Sequence, residues 1–292
     1  MSTLTLRRFA SSIATTAPQY LGKTRKINRI DKCPKGFFRD VNPLDREILL
    51  TGFKSPSGKR INFVRAEPKD FHVVAQFWGE EFTRTNNLCK HLGVTYEEFE
   101  QLASVTVNNC LKHGDVVMAF WGDRLVSTML CLHYKESELP QLFDNELPGH
   151  PNPVFRIKND YAEDIAAQPF CPKLNRCVAL LDTVQRQTGK FLPAGVKKVG
   201  ILEAVLVHPA LHRERIGAVM LDLGDKQLVK YGVNDIIGTA VATYSSRICH
   251  KMGYKTLQKF YYKDYKEGGK PVFEDLNDEA TYVAMIHRVI QP

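Results

Sequence analysis

The sequence predicts an α/β domain with a mostly antiparallel sheet, and three patterns carry that prediction. Residues 59–66 alternate polar and apolar side chains, as a half-buried strand does. Residues 115–134 contain two apolar runs on either side of Gly122-Asp123, a pair of residues typical of a hairpin turn. Residues 202–231 begin with an apolar run, pass through a basic turn and continue with helical spacing. Hairpins mixed with helices favour a sheet that helices cover.

The other elements follow from local signals. Pro68 and two acids open a helix after residue 66, and Thr95 with Glu98 forms a capping box for a second helix. A third helical stretch is predicted over residues 160–187, with Leu180 and Val184 on one face. Further strands are predicted at residues 234–240, 255–262 and 282–290, with a short helix at 244–252.

Length and hydropathy indicate one folded domain. The chain has 292 residues, 43% of them hydrophobic and 25% charged, which is typical of a globular protein. Residues 1–45 show no sustained periodicity and are predicted to be an extension, so the domain spans residues 46–292. No apolar run approaches the roughly 18 residues that a membrane span needs. We therefore expect no membrane span, and a monomer.

The net charge of +8 is concentrated in the N-terminal segment. Residues 1–30 hold six Lys and Arg residues and no acid, so the rest of the chain carries only +2. This balance argues against nucleic-acid binding by the domain. The segment MSTLTLRRFASSIATT is acid-free and rich in Arg, Ser and Thr, as mitochondrial transit peptides are. We expect a mitochondrial matrix protein; a basic tail on a cytoplasmic protein is the alternative.

The seven cysteines contain no CxxC pair, and no HExxH motif occurs. Scattered cysteines without a secretory signal are expected to be free thiols in a reducing compartment. No bound metal is expected.

Residues 202–217 predict an anion site. A strand at 202–207 leads through the turn at 208–215 into a helix that opens near Gly217. The first turn of a helix has free N–H groups and a partial positive charge, which together favour phosphate. Side chains of His212, Arg213 and Arg215 add donors.

This stretch resembles the central motif of the GCN5-related N-acetyltransferases, the GNAT family. The matching residues are Val207-His208-Pro209 followed by His212-Arg213-Glu214-Arg215-Ile216-Gly217-Ala218. His212 stands where the family usually has Arg or Gln, and Arg215 stands where the first Gly is usual. Insect-type arylalkylamine N-acetyltransferases are similar further downstream, through Tyr244-Ser245-Ser246-Arg247, Met252-Gly253-Tyr254, Tyr262-Lys263-Asp264-Tyr265, Gly269 and Val272-Phe273.

The resemblance implies a mixed sheet of about seven strands that splays between its central strands. It implies transfer of an acetyl group (or another short acyl group) from acetyl-CoA as co-substrate to a small-molecule amine, by direct attack in a ternary complex. Backbone amides near Leu206 are implied to polarise the acetyl carbonyl. The implied contacts to coenzyme A are Val205, Leu206, Val207, His212, Arg213, Arg215, Ile216, Gly217 and Ala218. The alternatives are a mitochondrial acyl-CoA:amino acid N-acyltransferase of the glycine type and a catalytically impaired module that binds acyl-CoA.

The expected catalytic base is Glu203. The insect-type enzymes carry a base in a Glu-Pro-Leu motif, and the corresponding place here holds Asn86-Asn87-Leu88. An amide cannot accept the proton, whereas a carboxylate on a half-buried strand has the raised pKa that a base needs. The alternative role for Glu203 is a structural ion pair. Glu80 and Glu81 are interpreted as a solvated helix face.

The expected acid is Ser245, with Tyr244 as the alternative. Many GNAT enzymes have a Tyr at the position of Cys249, which is interpreted as a packed helix cysteine. Six aromatic residues are candidates either for the wall of an amine pocket or for the core. These are Phe77, Trp78, Phe82, Tyr261, Tyr262 and Tyr265.

Overall fold

The computed structural model describes residues 36–39 and 46–290. The predicted transit peptide lies outside these residues. Phe38–Arg39, within the segment predicted to be an extension, form a short strand that pairs with the domain, and the neighbouring Phe37 is fully buried. No helix in the described part of the chain is both long and apolar enough to cross a bilayer.

A nine-stranded mixed sheet forms the centre of the domain. Its strands are β1 (Phe38–Arg39), β2 (Ile48–Lys54), β3 (Arg60–Arg65), β4 (Gly114–Trp121), β5 (Arg124–Lys135), β6 (Lys198–Val207), β7 (Asp235–Ala240), β8 (Lys255–Tyr261) and β11 (Tyr282–Val289). The order is β2-β3-β4-β5-β6-β7-β11-β8, with β1 alongside β5. Only β6 and β7 pair in parallel. Strands β9 (Lys266–Glu267) and β10 (Lys270–Pro271) form a separate hairpin.

Eight α-helices lie among the described residues. They are α1 (Phe71–Thr85), α2 (Asn87–Leu92), α3 (Tyr96–His113), α4 (Leu139–Leu142), α5 (Ala162–Ala166), α6 (Pro172–Thr188), α7 (Ile216–Lys230) and α8 (Thr243–Lys251). Apolar residues of α1, α3 and α6 pack on one face of the sheet, and those of α7 and α8 pack on the other. The sheet therefore lies between two helical layers, and burying both faces supplies the main stabilisation.

The predicted fold class is confirmed, and the sheet is larger than the predicted seven strands. The additional strands β1 and β2 lie near the N-terminus. Strand β2 is an edge strand that exposes most of its residues, so its sequence lacks a clear apolar alternation. The helical stretch predicted at 160–187 is two helices, because Pro172 starts a new helix at its first turn. Helix α2 was not predicted, and the capping box at Thr95 is present as expected.

Gly114 joins α3 to β4 in direct contact with β5. A Cβ atom at Gly114 would lie 1.9 Å from the backbone oxygen of Cys131. Gly114→Ala is therefore expected to lower the free energy of unfolding by about 3 kcal/mol, measured by urea denaturation. Gly52→Ala is the matched control, since φ is +66° and nothing lies within 4 Å; only the left-handed strain of about 1 kcal/mol is expected there. Equal losses in the two variants would contradict the steric explanation.

Candidate active site

A gap opens between β6 and β7 at the centre of the sheet. The two strands pair in parallel only from Val199–Asp235 to Leu202–Gly238. Beyond this point β6 continues to Val207 alongside β5, while β7 diverges and ends at Ala240. The gap is part of an open cavity of about 260 Å³. The second half of β6, the turn after it, the start of α7, the end of β7 and the start of α8 line it.

A β-bulge accompanies the divergence of β6. Leu130 of β5 pairs with Ala204, whereas the next residue, Cys131, pairs with Leu202, so Glu203 is the extra residue on β6. A bulge bends its strand and increases the local twist. Since the bulge lies one residue beyond the last pair between β6 and β7, it accounts for the place where the strands separate.

The register of β5 and β6 fixes which backbone groups face the gap. The amide of His208 donates to Val126 O at 2.8 Å, and Ser127 pairs with Val207. Because backbone groups alternate in direction along an antiparallel strand, those of Val205 and Val207 point away from β5 and into the gap. Leu206 O instead accepts a hydrogen bond from Ser127 Oγ at 2.5 Å. The backbone amides that were expected near Leu206 to polarise the acetyl carbonyl are therefore those of Val205 and Val207.

Glu203 lines the cavity and is half-buried. Within the described residues it has no hydrogen bond or ion pair, so the alternative of a structural ion pair finds no partner there. Burial raises the pKa of its carboxyl. A carboxyl group with a raised pKa that faces a cavity is suited to accept a proton.

The turn after β6 has an unusual backbone at two arginines. Arg213 and Arg215 are both left-handed, with φ of +66° and +61°. Arg215 is the N-cap of α7, so the amides of the next residues are the free donors of the first helical turn. Turns with left-handed residues can direct successive amides at one anion. The left-handed positions are therefore the arginines, whereas Gly217 lies inside the helix, where a Cβ atom would come within 3.2 Å of Ile248 Cδ1.

Most of the predicted site residues line this one cavity. They are Glu203, Val205, Leu206, Val207, His212, Arg213, Arg215, Ile216, Gly217, Tyr244 and Ser245. Ala218 does not line it, because it follows Gly217 into the helix. His212 Nε2 donates to Val207 O at 3.1 Å, which holds the imidazole against the end of β6.

Helix α8 presents the two candidate acids differently. Ser245 Oγ donates to Ala242 O at 2.8 Å and accepts from Ala242 N at 3.2 Å, so it already closes the first turn of the helix. Tyr244 is 66% exposed. Cys249 is buried, and burial raises the pKa of its thiol to about 12, which fits the interpretation as a packed cysteine.

Asn86 and Asn87 have structural partners. Asn86 is the N-cap of α2 and accepts from Leu88 N and Cys89 N. Asn87 is buried and donates to Val241 O at 2.9 Å and to Asp278 Oδ1 at 3.1 Å. Thr85, the last residue of α1, lines the cavity, whereas Asn86 and Asn87 do not.

The interpretation of Glu81 as part of a solvated helix face was wrong, and the neighbouring His208 is buried with it. Glu81 is 3% exposed; it is ion-paired with Arg84, and burial raises its pKa. His208 is also 3% exposed and stacks on Phe37, and its Nε2 lies 4.0 Å from Glu81 Oε1. Burial lowers the pKa of His208 to about 4, so it is neutral near pH 7. Phe37, which stacks on His208, lies far from it in sequence.

None of the six candidate aromatic residues lines the cavity. Phe77, Trp78, Tyr262 and Tyr265 are buried in the core, and Phe82 packs against it. Tyr261 is 43% exposed on β8. Among the described residues, no group of three or more His, Cys, Asp or Glu residues could hold a metal ion.

Comparison with solved structures identifies the fold. The chain is similar to arylalkylamine N-acetyltransferase 2 from Aedes aegypti, with 13% identity, a TM-score of 0.60, and coverage of 79% of this chain and 99% of that one. The chain has the GNAT fold. Mosquito arylalkylamine N-acetyltransferase like 5b is 14% identical with a TM-score of 0.58, and the polyamine N-acetyltransferase of Drosophila melanogaster is 13% identical with a TM-score of 0.57. Both comparisons cover 79% of this chain and all of the other.

No protein-family model matches the chain, and no curated protein matches it in sequence. The similarity therefore concerns the GNAT fold alone.

Proposed function

We propose that the protein transfers an acetyl group from acetyl-CoA to the primary amine of a small molecule, in a ternary complex. One observation carries this proposal: a single cavity joins an anion-binding turn to a half-buried carboxylate through a gap between two strands. The turn suits the diphosphate of coenzyme A, and Glu203 suits the amine.

The residues present fit coenzyme A. Left-handed Arg213 and Arg215 and the first turn of α7 offer amides and two guanidinium groups to the diphosphate. Between this turn and Glu203 the cavity is lined mainly by aliphatic side chains, which suit the uncharged pantetheine arm. Acetyl-CoA supplies the activated acetyl group as a thioester.

Val205 and Val207 offer the means to stabilise the reacting carbonyl. Their amides face the gap, because their backbone groups point away from β5. Donors fixed by a sheet need no reorganisation as negative charge develops on the carbonyl oxygen. The bulge at Glu203 keeps β7 from occupying these donors.

Glu203 would receive the proton of the attacking amine. An amine with a pKa near 10.4 is neutral in only about one part in 2,500 at pH 7, a deficit of roughly 4.6 kcal/mol. The nitrogen becomes acidic as its bond to the acetyl carbon forms, and a carboxylate with a raised pKa can accept that proton in the transition state. The leaving thiolate, with an ordinary pKa near 8.5, needs little assistance, and Tyr244 and Ser245 are the hydroxyl-bearing residues of α8 that line the cavity.

Charge favours an acceptor without a carboxylate. Among the described residues that line the cavity, the cationic side chains Arg213 and Arg215 lie at the turn formed by residues 208–215, hereafter the phosphate turn, and Glu203 is the only acid. An amino-acid acceptor would need a cation near Glu203 for its carboxylate. The names of the similar structures include arylalkylamine and polyamine N-acetyltransferases. Amines of the arylalkylamine kind are therefore proposed ahead of glycine.

The test is thiol release from acetyl-CoA. Purified full-length protein is incubated with arylalkylamines, polyamines, glycine and glutamine, and free thiol is measured against time. We expect release with amines that lack a carboxylate. Release with glycine or glutamine alone would favour the amino acid N-acyltransferase. Coenzyme A binding without release from any amine would favour an impaired acyl-CoA-binding module.

A further inference from the structure

The phosphate turn contains an acid, Glu214, between its two left-handed arginines. Glu214 is 9% exposed, although both neighbours are exposed. Its carboxylate accepts hydrogen bonds from Ser57 N at 3.1 Å, Ser57 Oγ at 2.5 Å and Lys59 Nζ at 2.9 Å. Ser57 and Lys59 lie more than 150 residues earlier, in the turn between β2 and β3.

The hairpin turn at residues 55–59, which binds the Glu214 carboxylate, is itself held by internal hydrogen bonds. Ser55 N donates to Lys59 O at 2.9 Å, and Gly58 N donates to Ser55 O at 2.8 Å. Lys59 Nζ also donates to Ser57 Oγ and lies 5.6 Å from the centre of the Trp121 ring. The partners of Glu214 are therefore held in place before any ligand binds.

A negatively charged carboxylate in the phosphate turn would weaken the binding of a phosphate group there. Hydrogen bonds from Ser57 and Lys59 lower the pKa of Glu214 to about 2, so it is ionised at neutral pH. An unpaired negative charge beside the amides of residues 213–216 would repel a diphosphate. Lys59 supplies the opposite charge at 2.9 Å, and the hydrogen bonds direct the carboxylate to the hairpin.

We propose that Lys59 and Ser57 are positioning residues of the coenzyme site: Lys59 neutralises Glu214, and both residues anchor the phosphate turn between its two left-handed arginines. The hairpin of β2 and β3 thereby becomes part of the machinery that binds coenzyme A, without touching it. This inference rests on the proposed function, because it assigns a diphosphate to the turn.

The test is a mutant cycle in the full-length protein, read by calorimetric titration with coenzyme A. Lys59→Ala leaves Glu214 charged and is expected to raise the Kd roughly tenfold, with the loss growing as the salt concentration falls. Glu214→Gln keeps an acceptor for Ser57 and should change the Kd much less. The double variant Lys59→Ala/Glu214→Gln is expected to recover most of the lost affinity. Lys54→Ala, an exposed cation on the same hairpin, is the matched control.

Recovery in the double variant separates the inference from its competitors. If Lys59 bound phosphate directly, removing the charge of Glu214 would not restore the lost affinity, and the inference would be wrong. If Lys59 only held the fold together, the variants would differ in thermal stability while their folded fractions bound coenzyme A equally. Thermal denaturation of each variant identifies any loss of folded protein. If the wild type binds coenzyme A and all the variants bind it equally, the inference about Lys59 and Ser57 is wrong and the proposed function is unaffected. If the wild type does not bind coenzyme A, the proposed function fails.

Discussion

Glu203→Gln is expected to lower kcat for acetyl transfer by about 10²- to 10⁴-fold, the usual contribution of a general base. Glutamine keeps the shape of the side chain at the bulge and cannot accept the proton of the amine. The Kd for coenzyme A should stay close to that of the wild type, since the phosphate turn lies at the other end of the cavity. Steady-state kinetics with the best amine and calorimetry with coenzyme A measure the two quantities.

The pH profile gives this prediction a second readout. Because burial raises the pKa of Glu203 above its ordinary value, kcat/KM of the wild type should rise with pH as the carboxyl ionises. The variant should lack this acidic limb. Glu136→Gln, an exposed acid beyond the end of β5, is the matched control and should retain both the rate and the limb. A Glu203→Gln enzyme with the wild-type rate and pH profile would remove Glu203 from the mechanism.

Arg215→Gly is expected to have opposite effects on binding and on stability. Glycine adopts the left-handed conformation at φ of +61° without strain, so the fold should gain about 1 kcal/mol. The lost guanidinium removes a charge-assisted hydrogen bond to phosphate worth roughly 1.5–3 kcal/mol, which raises the Kd for coenzyme A about 10- to 100-fold. Thermal denaturation and calorimetry measure the two changes.

The coenzyme without its 3′-phosphate shows which phosphate Arg215 contacts. If Arg215 contacts the 3′-phosphate, dephospho-coenzyme A should bind the wild type and the variant equally; if it contacts the diphosphate, both ligands should lose affinity. Lys112→Ala, an exposed cation on α3, is the control for net charge. Unchanged affinity for both ligands would show that the backbone amides act without the arginine.

The sequence allowed the strand, turn and helix at residues 198–230 to be predicted well, because their signals are local. Apolar spacing defines β6 and α7, and a basic turn between a strand and a helix has few other uses. The resemblance to the GNAT family added the gap beside β6. The predicted catalytic base, Glu203, and the predicted phosphate-binding residues line one cavity.

What the sequence did not predict depends on distant partners. The bulge at Glu203 exists only in the register of β6 with β5, which no local pattern records. Glu81 has the composition of a surface residue, and its burial follows from packing beside His208. The pairing of Glu214 with Ser57 and Lys59 joins segments that are far apart in sequence. Such contacts are set by topology rather than by propensity.

The most direct test of the account is a crystal structure of the protein with coenzyme A bound. We expect the pantetheine arm in the gap between β6 and β7, with the diphosphate on the amides of residues 213–218. The thiol should lie beside Val205 and Val207, within reach of an amine that also contacts Glu203. Coenzyme A bound elsewhere, with the gap closed or empty, would contradict the assignment of this cavity as the acetyl-transfer site.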